Sequence, residues 1–305
     1  MNYVNCNKED LEKEYAALVA EYEEVKGKGL KLNMARGKPG EDQLNLSRPL
    51  LDVINSSTDC ITAHGADCRN YGELAGIDEC KNFFAEIFDV DPSDVMVGGN
   101  SSLNMMFDTI AGFMTKPVVE GCKPWYEVKN RKFLCPAPGY DRHFAITEYF
   151  DFDLIPVPMT ENGPDMDVVE KLVENDDSIK GIWCVPKYSN PLGITFSDET
   201  VKRFAALKPA AKDFRIMWDN AYCVHDVTDT PDELLSLMAE CRKTGNVDLP
   251  IMFTSTSKIT FPGSGVAAMA ASDNNMKVIK NRYQYQVISY DKTVSYTHLR
   301  AHETS

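Results

Sequence analysis

At 305 residues, 43% hydrophobic and 26% charged, the chain is long enough for one large α/β domain and part of another. A formal net charge of −14 argues against a nucleic-acid partner or an anionic membrane surface, both of which favour a basic face. Nine cysteines with no CxxC pair, some of them inside apolar runs (Cys135, Cys184, Cys223), read as buried free thiols of a reducing compartment and not as a disulfide framework; no metal is expected.

The first residues are acidic and amphipathic, unlike a secretory or transit signal. No run reaches the roughly 18 to 20 apolar residues of a membrane span, so a cytoplasmic location is expected. Residues 9–26 carry Leu11, Tyr15, Leu18, Val19 and Tyr22 at helical spacing, which predicts a surface helix ended by Gly27 and Gly29. Residues 34–46 are irregular, with Gly37, Pro39 and Gly40. Strand-like runs then follow at 95–97, 132–135, 153–157, 181–185, 214–218 and 250–254. Helical patterns fill 102–114, 166–174 and 198–207. This alternation predicts a mostly parallel sheet covered by helices on both faces, with ligands beyond the carboxyl ends of the strands.

The last twelve residues, from Val294 to Ser305, resemble a translated sequencing-adapter end and read as a non-native tail. His298 and His302 have the i, i+4 spacing of metal ligands but are set aside for that reason. The domain organisation read from the chain is 1–46 as an N-terminal helix and segment, 47–293 as the main domain, and 294–305 as the tail.

Four residues carry the chemistry. Asn190, in Asn190-Pro191-Leu192-Gly193, is followed by Asp219, Tyr222 and Lys258 at steps of 29, 3 and 36 residues. An amide, a carboxylate, a phenol and an amine after successive apolar runs match the needs of pyridoxal 5′-phosphate. The carboxylate keeps the ring nitrogen protonated, Tyr222 and Asn190 hydrogen-bond the 3′-oxygen, and Lys258 holds the cofactor and moves the substrate proton. Taken singly, the aspartate reads equally as a helix cap, the asparagine as a turn residue and the lysine as a surface group. Ser255 could reach the phosphate. Gly98-Gly99-Asn100-Ser101-Ser102 follows a strand and opens a helix, which makes an anion site of Asn100, Ser101 and Ser102. Tyr140, in Pro136-Ala137-Pro138-Gly139-Tyr140, is placed to stack on the ring.

With Ala35-Arg36-Gly37-Lys38-Pro39, Tyr188-Ser189-Asn190-Pro191 and Thr256-Ser257-Lys258, the chain over roughly residues 30–290 resembles fold-type I pyridoxal-phosphate enzymes of the class I/II aminotransferase family. It is most similar to the aspartate-aminotransferase-like subgroup. The resemblance implies a three-layer α/β/α large domain with residues 1–46 forming part of an incomplete small domain. It implies Lys258, Asp219 and Tyr222 as the catalytic set, and Gly37 and Asn190 beside the substrate. It further implies a homodimer in which Tyr71 reaches the phosphate of the neighbouring subunit. The activity implied is transfer of an amino group between an L-amino acid, aspartate or glutamate, and a 2-oxo acid. Two departures stand out. Residues 259–271 lack the phosphate-binding arginine that many members have, with Ser264 a partial substitute, and the family's C-terminal small domain with its carboxylate-binding arginine is missing. The same constellation would also serve a pyridoxal-phosphate lyase or decarboxylase, or a non-catalytic sensing domain of a regulator, although no basic DNA-binding segment precedes the fold.

Overall fold

Strands whose residues alternate between two apolar surfaces set the architecture. The computed structural model describes residues 3–32 and 38–304. The chain divides into two compact units after Glu41. The first unit contains α1 (Lys8–Gly27), whose N-terminus is capped by the Asn7 side chain and which buries none of its residues. The sequence-based boundary after Leu46 differs from this division by α2 (Glu41–Leu46).

The second unit is built on eight strands: β1 (Val95–Val97), β2 (Lys132–Ala137), β3 (Asp153–Thr160), β4 (Gly163–Pro164), β5 (Ile179–Cys184), β6 (Arg215–Asp219), β7 (Pro250–Ser255) and β8 (Ala267–Ala271). Their order across the sheet is β1-β8-β7-β6-β5-β2-β3-β4. The pairs β2·β3, β2·β5, β5·β6 and β6·β7 are parallel. Only β8, antiparallel to both β7 and β1, and the short β4 run against the rest.

Because successive side chains of a strand point to opposite faces, each strand feeds two cores. Leu134, Ile182, Ile216, Trp218 and Met252 face one layer, with α3 (Asp78–Phe88), α6 (Met166–Asn175), α7 (Asp198–Ala205) and α8 (Leu237–Thr244) over them. Phe133, Trp183, Met217, Ile251 and Phe253 face the other, under α4 (Ser102–Thr115), α5 (Asp141–Tyr149) and α9 (Asp273–Tyr283). This is the three-layer α/β/α arrangement expected from the sequence. Its strands β5 to β8 are buried throughout, as a sheet covered on both sides requires.

The predicted strands and helices all form, with ends moved by a few residues. Not foreseen was β8. Its sequence Ala-Ala-Met-Ala-Ala favours helix by intrinsic propensity, and burial between β1 and β7 overrides that preference. Residues 294–304 lie within α10 (Lys292–Thr304), which packs on α3 and buries Tyr296. There His298 spends both ring nitrogens, on the Val294 carbonyl and the Thr260 hydroxyl. Among the described residues no helix is long and apolar enough to cross a membrane, and all nine cysteines are unpaired.

One buried charge pair locks the sheet's far end. Lys180 Nζ meets Asp213 Oδ1 at 2.8 Å, and Trp125 Nε1 donates to the other oxygen at 2.9 Å. Lys180→Met would leave Asp213 charged, buried and short of one partner. The expected loss is about 3–5 kcal/mol of unfolding free energy, read from the denaturant midpoint. A loss below about 1 kcal/mol would show that water already reaches the pair.

Candidate active site

The carboxyl ends of β1, β5, β6 and β7 open onto one edge of the sheet, and a cavity of about 250 Å³ sits there. Asn100, Ser101, Ser102, Tyr140, Asn190, Asp219, Tyr222, Ser255 and Lys258 all line it. A cavity of about 550 Å³ between α4 and α9 is larger, but Phe113, Ile279 and Tyr285 line much of it and no comparable constellation gathers there. Chemistry, not size, selects the smaller one.

Asp219 closes β6 and is 4% exposed. Its Oδ2 lies 2.9 Å from His143 Nε2, and its Oδ1 is buried without a hydrogen-bond partner. A buried carboxylate oxygen left unmatched is costly, so the site calls for one more donor at that position. His143 stands on the first turn of α5, stacked on Trp183 at 4.7 Å and edge-on to Tyr140 at 5.0 Å. Tyr222 follows in the turn after β6. Burial pushes its phenol upward from the usual range, and the charge of Asp219 and then Tyr140 push in the same direction.

The turn before α4 places Asn100, Ser101 and Ser102 on the cavity wall. Gly98 N–H donates to the Ala267 carbonyl and Ala267 N–H to the Gly99 carbonyl, at 2.8 and 2.7 Å, so the turn is stitched to β8. Ser101 precedes the helix without capping it through its side chain. The first turn of the helix thus has no side-chain cap from Ser101, and Ser101 and Ser102 both line the cavity. Asn190 sits in a turn closed by Ser189 N–H to the Ile194 carbonyl at 2.8 Å.

Lys258 ends a 3-10 turn over Thr256–Lys258 that leaves the end of β7. Lys258 follows the apolar run of β7, where a solvated lysine is less expected. The residue is instead exposed, because the chain turns out of the sheet directly after Ser255. The segment is closed at its base by Thr256 N–H to the Val266 carbonyl at 2.8 Å and Val266 N–H to Thr256 Oγ1 at 2.9 Å. Gly265 is required there, since a Cβ would come within 2.8 Å of that hydroxyl. Ser257 Oγ donates to the Asn100 carbonyl at 2.9 Å, tying the lysine turn to the turn before α4.

Tyr71 does not line the cavity of its own chain and is 81% exposed. Gly37 lies outside the described residues. Sequence reasoning missed His143 and Ser257. His143 was legible in principle, one helical turn beyond Tyr140 at i, i+3; Ser257 adjoins the lysine and was passed over for Ser255.

A family model described as aspartate amino-transferase matches residues 6–305. The chain belongs to the aspartate amino-transferase family. A putative aminotransferase of Mycolicibacterium smegmatis is 42% identical over 301 residues, covering 98% of this chain and 70% of the relative. An aspartate aminotransferase of Corynebacterium glutamicum is 42% identical over 279 residues, 92% of this chain and 64% of its own length. The crystal structure of an aspartate transaminase from the same organism superposes with a TM-score of 0.89 at 40% identity, covering 97% of this chain and 69% of that one. The chain thus spans about two thirds of the length of these relatives.

Proposed function

We propose that the protein is a pyridoxal-phosphate-dependent transaminase exchanging an amino group between an L-amino acid, aspartate or glutamate, and a 2-oxo acid. The observation that carries this reading is the buried, unpartnered Oδ1 of Asp219, which lacks a donor of the kind a protonated pyridine nitrogen provides. When bound, the cofactor supplies an electron sink for the substrate α-carbon. Asp219, steadied by His143, holds the proton on the ring nitrogen. Tyr222 and Asn190 would hydrogen-bond the 3′-oxygen and Tyr140 would cover the ring, since all three line the cavity. Asn100, Ser101, Ser102 and Ser255 hold the phosphate, aided by the first turn of α4. Lys258 Nζ is the amine that would hold the cofactor covalently and, when free, would serve as the base for the substrate α-proton.

The same reading has Gly37 beside the substrate carboxylate and Tyr71 reaching the phosphate of a second copy in a cytoplasmic homodimer. Residues 1–46 are then part of a small domain and 47–293 the cofactor-binding domain. The test is to offer the protein a panel of L-amino acids and 2-oxo acids. Matched release of the oxo acid, with aspartate or glutamate the best donor, is the expected result. Release of carbon dioxide, sulfide or ammonia in place of the oxo acid would replace transamination by lyase or decarboxylase chemistry.

A further inference from the structure

Lys292, the first residue of α10, is 4% exposed. Its ammonium donates to three neutral oxygens: the carbonyls of Asn70 at 2.5 Å and Gly72 at 3.0 Å, and the Ser289 hydroxyl at 3.4 Å. An ammonium carries three donors, so this buried charge is matched in number, although by no carboxylate. Burying a charge in that manner is expensive and suggests a task for the arrangement. The two carbonyls flank Tyr71 on either side. The Tyr71 N–H is held as well, by Asn70 Oδ1 at 2.8 Å, and Gly72 turns the chain with φ of +104°, a conformation suited to glycine. The lysine itself is fixed, because Asp291 Oδ1 accepts from the N–H groups of Thr293 and Val294 at 3.0 and 3.1 Å. A backbone gripped on both sides thus presents a phenol that is 81% exposed. A side chain pre-organised in this way suits an acceptor outside its own chain.

Among the described residues, the cavity offers the phosphate it would hold only neutral donors and Lys258, with no arginine in its lining. A donor brought by a second copy would therefore matter more than usual. We infer that Lys292 is a positioning residue: by gripping the carbonyls of Asn70 and Gly72 it aims the Tyr71 phenol at the cofactor phosphate of a second copy of this chain. This rests on the reading of Tyr71 given above.

The experiment compares cofactor affinity, by titration with pyridoxal phosphate, and dimer content, by sedimentation, for Tyr71→Phe, Lys292→Met, Lys292→Gln and the Tyr71→Phe/Lys292→Met pair. Each single change is expected to weaken cofactor binding by roughly tenfold or more, with dimers retained. The pair should be no worse than the worse single change, because both remove the same contact. A second arm mixes Lys292→Met subunits with Lys258→Ala subunits, at a cofactor concentration that leaves the former mostly empty. A mixed dimer has one site that combines an intact Lys258 with an intact Tyr71 loop from the other chain. Absorbance of covalently held cofactor should return on mixing, which a defect confined to the subunit's own site cannot produce.

If Tyr71→Phe leaves affinity unchanged, the reading of Tyr71 fails and the inference fails with it. If Tyr71→Phe weakens binding while the Lys292 changes do not, or add to it in full, only the Lys292 inference is overturned. Absence of recovery on mixing overturns it too. Loss of the fold in both Lys292 variants makes the residue a purely structural one, which equally overturns the inference.

Discussion

Lys258→Ala is expected to abolish covalent retention of pyridoxal phosphate and to lower the transamination rate by about 10⁴-fold or more. General-base removal alone is worth up to about that factor, and loss of the covalent hold adds to it. No other lysine lines the cavity. Lys187 is buried with its ammonium at 3.5 Å from the Cys223 carbonyl and from Asp226, and Lys292 is engaged at the Tyr71 loop. Reduction of the natural protein with borohydride followed by peptide mapping should place the cofactor on the peptide containing Lys258. Added small amines should restore part of the proton-transfer rate in the variant without restoring covalent retention. A cofactor–lysine adduct that survives in Lys258→Ala would move the assignment to another residue.

Asp219→Asn is the second large effect. The carboxylate is almost wholly buried, and its Oδ1, without a hydrogen-bond partner, can match a ring N–H with a negative charge. Removing one side of such a buried charged hydrogen bond costs about 2–5 kcal/mol, or roughly 30- to 5,000-fold in rate. The loss should fall on the proton-abstraction step, detectable as an enlarged isotope effect with α-deuterated substrate. A cofactor analogue with carbon in place of the ring nitrogen gives the sharper control. With it, the natural protein and Asp219→Asn should differ little, since neither has a ring N–H to hold. A full difference with the analogue would mean that Asp219 acts through the fold and not through the ring.

Much of this was legible in the chain itself, for reasons that differ from residue to residue. The runs that became β5, β6 and β7 are mostly apolar, and short apolar runs bounded by turns read readily as buried strands. Asp219, Tyr222 and Lys258 were legible because each lies at or just after the carboxyl end of one of those strands, where a parallel sheet collects its ligands. His143 could be placed beside Tyr140 by helical spacing, but a histidine on a helix says nothing of a carboxylate 76 residues later in the chain. β8 was hidden for the opposite reason: its composition is locally helical, and only its two neighbours make it a strand. The exposure of Lys258 depends on a turn of three residues, below the reach of any periodicity.

The reversal of β8 has a consequence for how the lysine-bearing segment can change. A parallel continuation would have needed a helix-sized crossover between β7 and the next strand. Because β8 runs back beside β7, residues 256–266 form a loop pinched shut where Thr256 meets Val266. Beyond that pinch, length and composition are weakly coupled to the position of Thr256, and lengthening a flexible loop carries only a small entropic penalty. The stretch from Ile259 to Ser264 is thus a place where substitutions and insertions can accumulate while Lys258 keeps its address. Here that stretch contains no arginine. The topology separates the fixed demand on the amine from the freedom of the turn that follows it.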